Sequence, residues 1–170
     1  MSIDVRELLD DESLDTKKLF NEEEYSTLII KREGFSKSEN DTADLLEGLL
    51  DENRTRIEKE EIFAELKKAN AGEMLVNAIK EAQKNSEKAL LIAACWECGL
   101  DFTRHFLFFS VLACHNDFNI ALEALTLVES IEGTVDEDSL TKALVFAQNN
   151  KSENPDLMAA LVENIKDRIN

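Results

Sequence analysis

The chain is poor in the residues that break or bend a backbone. In 170 residues it has one Pro and five Gly. β-rich folds of this length use more turn residues than that, so the scarcity favours helices joined by short polar turns. Positive charge is also scarce. Nineteen Lys and Arg stand against 36 Asp and Glu, a formal net charge of −17. Such a surface repels phosphate backbones and anionic bilayers, so neither nucleic acid nor membrane is expected as a partner. A basic protein would be steered towards it, although charge of this kind most often serves as a solvated face. Cysteine is limited to Cys95, Cys98 and Cys114. An odd number of Cys in apolar helical sequence offers no disulfide framework and reads as small hydrophobes in a reducing compartment. The first residues, Met1–Glu7, have neither the basic nor the apolar stretch of a signal peptide. No apolar run approaches the length of a membrane span. A soluble, cytoplasmic protein is expected.

What is present is helical periodicity. Residues 1–37 carry loosely spaced Leu8, Leu9, Leu14, Leu19 and Phe20 and are expected to form a helical cap or a partly mobile segment. From residue 38 the apolar positions fall at i, i+4 spacing. Leu45, Leu46, Leu49 and Leu50 mark one helix, and Ile57, Ile62, Phe63 and Leu66 the next, with Gly72 closing it. Met74, Leu75, Ala78 and Ile79 follow, then a turn at Asn85-Ser86 and a helix that stops at Gly99. Phe106–Cys114 is apolar almost all round, which marks a helix buried on several sides. A turn at His115-Asn116-Asp117 leads into a helix over 118–131. Asp136-Glu137-Asp138 caps the next helix, and Pro155 stands at the first position of the last, where its missing N–H is harmless.

These segments repeat. Glu73–Gly99, Thr103–Gly133 and Asp138–Asn170 each read helix, Asn-containing turn, helix, with turns at Asn85, Asn116 and Asn149/Asn154. Ala89-Leu90 aligns with Ala121-Leu122, and Trp96-Glu97 with Val128-Glu129. Three stretches carry a family likeness: Lys88–Gly99, Phe106–Asp117 and Ile120–Ile131. In them the chain resembles the HEAT/armadillo class of helical repeats, most clearly over 72–170. Lys88 and Ile120 stand where that class often has Arg, and the usual Pro of its first helices is absent. The resemblance implies an all-α fold, a right-handed α-α superhelix of about eight or nine helices stacked as antiparallel pairs over 38–170. The apolar gradient agrees, because 89–131 is richest in apolar residues and both ends are charged, as middle and terminal repeats should be.

Few residues invite chemistry. Cys95 and Cys98 form a single C-x-x-C, but it ends a helix instead of opening one, and one such pair does not make a zinc site. His105 and His115 lie near opposite ends of one helix, too far apart for one ion. Core packing is therefore the expected role of the three Cys, and Trp96 reads as a core anchor. No catalytic residue, metal or cofactor is expected. The competing reading is a small helical enzyme or a ligand- or metal-binding protein built on Cys95, Cys98, Cys114 and His115. The preferred reading is a non-catalytic interaction module. The resemblance puts its second helices on the concave side. The expected binding face is Asn119, Glu123, Thr126 and Ser130 on one helix, with Glu87, Leu91 and Ala94, followed by Cys98, one repeat earlier. The expected partner is a protein, basic in character, or a second copy of the chain in a homodimer.

Overall fold

The computed structural model describes residues 38–169. They hold eight α-helices and no strand. The helices are α1 (Ser38–Leu50), α2 (Arg56–Lys68), α3 (Gly72–Glu81), α4 (Asn85–Glu97), α5 (Phe106–Leu112), α6 (Phe118–Ser130), α7 (Glu137–Asn149) and α8 (Pro155–Ile169). A 3-10 turn, Thr103–His105, leads into α5. One compact unit begins at Thr42 and runs to the end of the chain. The cap or mobile segment expected over 1–37 lies outside the described residues. No described helix is long and apolar enough to cross a membrane.

Local chemistry sets the helix ends. Thr55 opens α2 with a capping box. Its hydroxyl accepts from the Glu58 amide, and the Glu58 carboxylate accepts from the Thr55 amide at 2.7 Å. Asp117 accepts from the amides of Asn119 and Ile120 at the start of α6, and Asp136 from Ser139 at the start of α7. Gly99 ends α4 at φ 58°, a left-handed conformation that costs Gly little. Two expected boundaries move. The left-handed residue after α2 is Asn70, at φ 50°, and Gly72 instead begins α3. Asn85-Ser86 is not a turn but the first residues of α4, because the chain bends earlier, over 82–84.

Helices joined by the turns at 82–84, 113–117 and 150–154 pack as neighbours: α3 with α4, α5 with α6, α7 with α8. Further packing follows alternate helices. α6 lies against both α4 and α8, and α5 lies against α7. At the centre is α5, with every residue but Leu107 buried. Its Phe109 ring meets Phe108 edge-on at 5.0 Å and Phe102 edge-on at 5.5 Å. Ser110 is its one polar residue, and the buried hydroxyl has no hydrogen-bond partner.

Polar side chains close the gaps between neighbouring helix ends. Asn85 donates to the Asp117 carboxylate at 3.2 Å. Asn150 donates to the carbonyl of Cys114, and Asn154 to those of His115 and Asn116, so the carbonyls after α5 are satisfied from the turn before α8. Arg168 reaches from α8 to the end of α6. Its Nη2 donates to the Val128 and Ile131 carbonyls at 3.0 and 2.7 Å, its Nε donates to Asn164, and its guanidinium lies 5.3 Å from the centre of the Phe106 ring. The loop after α6 also fits closely, since a Cβ at Gly133 would collide with the Thr103 side chain.

Arg168 therefore ties three helices at one point. Replacing it with Met keeps the aliphatic stem but removes every donated bond. The expected loss in urea-unfolding free energy is about 2 kcal/mol. Lys should recover little of it, because an ammonium cannot fork to two carbonyls while stacking on a ring.

Candidate functional site

The expected binding face divides in the structure. On α6, Asn119 and Ser130 are exposed, and Glu123 and Thr126 are half-buried. On α4, Glu87 is half-buried, and its carboxylate accepts from Lys84 at 2.9 Å. Leu91 and Ala94 are not on a surface at all, with 1% and 0% of their area exposed, and Cys98 is buried with them. The least buried stripe of α4 runs instead through Ser86 and Glu97, which are exposed, and Leu90 and Ala93, which are half-buried. Its phase is one residue, about 100°, away from that expected. The reason lies in the composition of α4. Its apolar residues are spread round the helix, so periodicity marks no single inner stripe, and packing against α3 and α6 decides which side is covered.

Trp96 and Glu123 bridge α4 and α6. The indole Nε1 donates to Glu123 Oε2 at 2.9 Å, and both side chains are partly buried. Trp96 thus links neighbouring helices through this bond, but it is half-buried and is not one of the buried core residues. Glu123, expected to be available to a partner, is already engaged. The hydroxyls of Thr126 and Ser130 turn back on their own helix, donating to the Leu122 and Leu127 carbonyls. The apolar neighbours on this side of α6 are Phe118 and Leu122, 54% and 37% exposed. Polar spacing favours Asn119 and Glu123, but the side chains that α6 leaves most open to solvent include these two hydrophobic ones.

The three thiols are free and buried. Cys95 donates to the Leu91 carbonyl and Cys114 to that of Ser110, each one turn back along its own helix. Burial raises Cys95 well above the ordinary thiol range, pushes Cys98 up to about 11 and Cys114 up to about 12. A nucleophile or a metal ligand needs the opposite shift. Among the described residues no group of three or more His, Cys, Asp or Glu is placed to hold a metal ion. His115 accepts from the Asp117 amide through Nδ1 at 2.9 Å, so it belongs to the turn before α6.

His105 stands apart from the thiols. Its Nε2 lies 2.8 Å from Glu73 Oε1, an oxygen that also meets the Arg104 guanidinium. Sequence reasoning missed this cluster, because Glu73 is more than thirty residues away in the chain and nothing in the local pattern singles it out. Burial lowers the His105 pKa against the pull of Glu73, with Arg104 and Lys80 adding to the lowering. His115 is lowered too, by burial first and then by Lys88.

Comparison with protein-family models, with curated proteins and with solved structures finds no match for this chain.

Two outcomes follow. A native chain treated with a thiol-specific disulfide reagent at pH 8 should react roughly a hundredfold more slowly than the same chain in urea, where all three thiols open. A thiol that reacts at once in the native protein would favour the enzymatic reading. Second, a His whose folded pKa lies below its unfolded value binds its proton more readily in the unfolded chain. Its contribution is therefore complete above the unfolded pKa and is lost as pH falls through the folded one. Between pH 7.5 and 5.5 the wild-type chain should lose more stability in urea titrations than His105→Gln does. His115 keeps a residual slope of the same sign in the variant.

Proposed function

We propose that this chain is a non-catalytic interaction module, a right-handed stack of helix pairs that offers an acidic surface to a protein partner. The order of packing supports the stacked arrangement. Second helices touch second helices, α4 to α6 to α8, and first helix touches first helix, α5 to α7. A repeat stack puts each helix beside its counterparts in adjacent repeats, whereas a four-helix bundle gathers its helices about one axis. The recurring polar closures support the same reading, because Asn85, Asn154 and Arg168 each reach from one pair to its neighbour. The likeness of the sequence to HEAT/armadillo repeats adds to it.

The observation that carries the functional half is the layer formed by α4, α6 and α8. In it α6 leaves Phe118, Asn119, Leu122, Glu129 and Ser130 exposed. α6 contains no Lys, Arg or His, and the chain as a whole stands at −17. A basic partner fits such a surface through long-range attraction and short-range pairing at the rim. The cytoplasm suits three buried free thiols.

Affinity capture from an extract of the native cell tests this reading. A partner held specifically at about 50 mM salt should be released at about 500 mM, where screening shortens the reach of surface charge. Absence of any specific partner at either salt counts against the module. Stoichiometric zinc in the purified protein would replace it with a metal-binding function.

A further inference from the structure

With 36 acidic residues against 19 basic ones, a cation on this chain readily finds a carboxylate. Lys68 sits on Glu65, Lys84 on Glu87 and Lys142 on Asp138. One place differs. An open cleft of about 380 Å³, between the start of α2 and the end of α4, is lined by Arg54, Arg56, Lys59, Glu60, Phe63 and Glu97. Its volume falls in the range of small-molecule sites. Arg56, Lys59, Glu60 and Phe63 share one face of α2, at i, i+3, i+4 and i+7. Arg56 is paired with Glu60 at 3.0 Å. Arg54 and Lys59 have no ion pair among the described residues. Asp51 feels the charge of both, and Glu58 that of Arg54. Those two carboxylates are bonded elsewhere, however. Asp51 accepts from the backbone and side-chain amides of Asn53, and Glu58 from the amide and hydroxyl of Thr55. The unpaired heads lining the cleft are therefore two positive, Arg54 and Lys59, and one negative, Glu97. Arg54 is also backed by α1, since a Cβ at Gly48 would lie 3.3 Å from its Nε and Cζ.

From this we infer that the cleft binds a small organic monoanion, a carboxylate carried on an apolar or aromatic body. The Arg54 guanidinium, placed by Gly48, offers the fork that a carboxylate accepts two by two, and Lys59 adds a point charge. Phe63 and the stem of Lys59, both half-buried, form the apolar wall for the body. Glu97 faces the same space from α4 and opposes a second negative charge, so a monoanion is preferred to a dianion. The site does not depend on the module reading.

The probe is benzoate, titrated into the isotopically labelled full chain and followed by the backbone amide signals. Benzoate should move the amides of residues 54–63 and of Glu97, and the shifts should saturate. Benzyl alcohol and benzylammonium, which share the ring but not the charge, should not bind there. Acetate should bind more weakly than benzoate, because it lacks the body that meets Phe63. The double variant R54Q/K59Q should bind benzoate at least about tenfold more weakly. Glu97→Gln should bind it more tightly, because the opposing charge is gone. Lys68→Gln, at the far end of α2, should bind as the wild type does. These variants change side chains at the surface and should keep the wild-type thermal midpoint; the Glu97 arm carries the test should the double variant lose it. Absence of saturable shifts at 54–63, or equal binding of acetate and benzoate, overturns the site. Unchanged or weaker binding in Glu97→Gln overturns it too. Capture of a protein partner from extract is unaffected by any of these results, so the module reading stands or falls separately.

Discussion

Enclosure of α5 is the constraint on which the other elements depend. Seven residues, six of them buried and three of those Phe, leave only Leu107 partly open to water. A helix of this kind is unstable alone, and burying each large side chain contributes roughly 1.5–3 kcal/mol only when every side is covered. The covering comes from α6, from α7 and from the 3-10 turn that precedes α5. Charged residues finish it at the edges with their aliphatic stems and their heads. Lys80 lies over the Phe108 ring at 5.4 Å, and Arg168 over that of Phe106. The Ser110 hydroxyl is the cost left inside that enclosure.

Once α5 is enclosed, the position of the outer helices follows from hydrogen-bond satisfaction. The chain after α5 turns back within a few residues, and its exposed carbonyls need donors. Asn150 and Asn154 supply them from a neighbouring turn. The end of α6 is satisfied in the same manner by Arg168. The Asn-rich turns are therefore more than flexible connectors, since their amides join one helix pair to the next. The open side of α6 is a by-product of this arrangement. α4, α5 and α8 cover the other sides of α6, leaving Phe118 and Leu122 at the surface.

Much of this architecture is legible in the sequence where a residue acts on its immediate neighbours. Pro155, Asp117, Asp136 and Gly99 mark helix ends by local chemistry, and each stands at an end in the structure. The all-round apolar character of Phe106–Cys114 likewise foretells burial. Positions decided by tertiary packing are not legible. Leu91 and Ala94 occupy places where the repeat alignment predicts an exposed face, yet α4 has apolar residues on all sides and nothing local says which side is covered. Gly72 looks like a stop, but Asn70 takes the left-handed conformation first. The Thr55 capping box went unread because acidic and polar residues crowd Asp51–Glu61, so Thr55 and Glu58 do not stand out. Glu73 with His105 joins residues from different helices, which no local pattern can reveal.

The Asn and Arg closures also set an order in time. The donors for the carbonyls after α5 and at the end of α6 lie 36 to 40 residues further along the chain. During synthesis those carbonyls emerge long before Asn150, Asn154 and Arg168 exist to meet them. The nascent chain must therefore keep both helix ends hydrated, or covered by a chaperone, until α8 has left the ribosome. A chain cut short before α8 would leave the Val128 and Ile131 carbonyls at the end of α6 without the Arg168 donor.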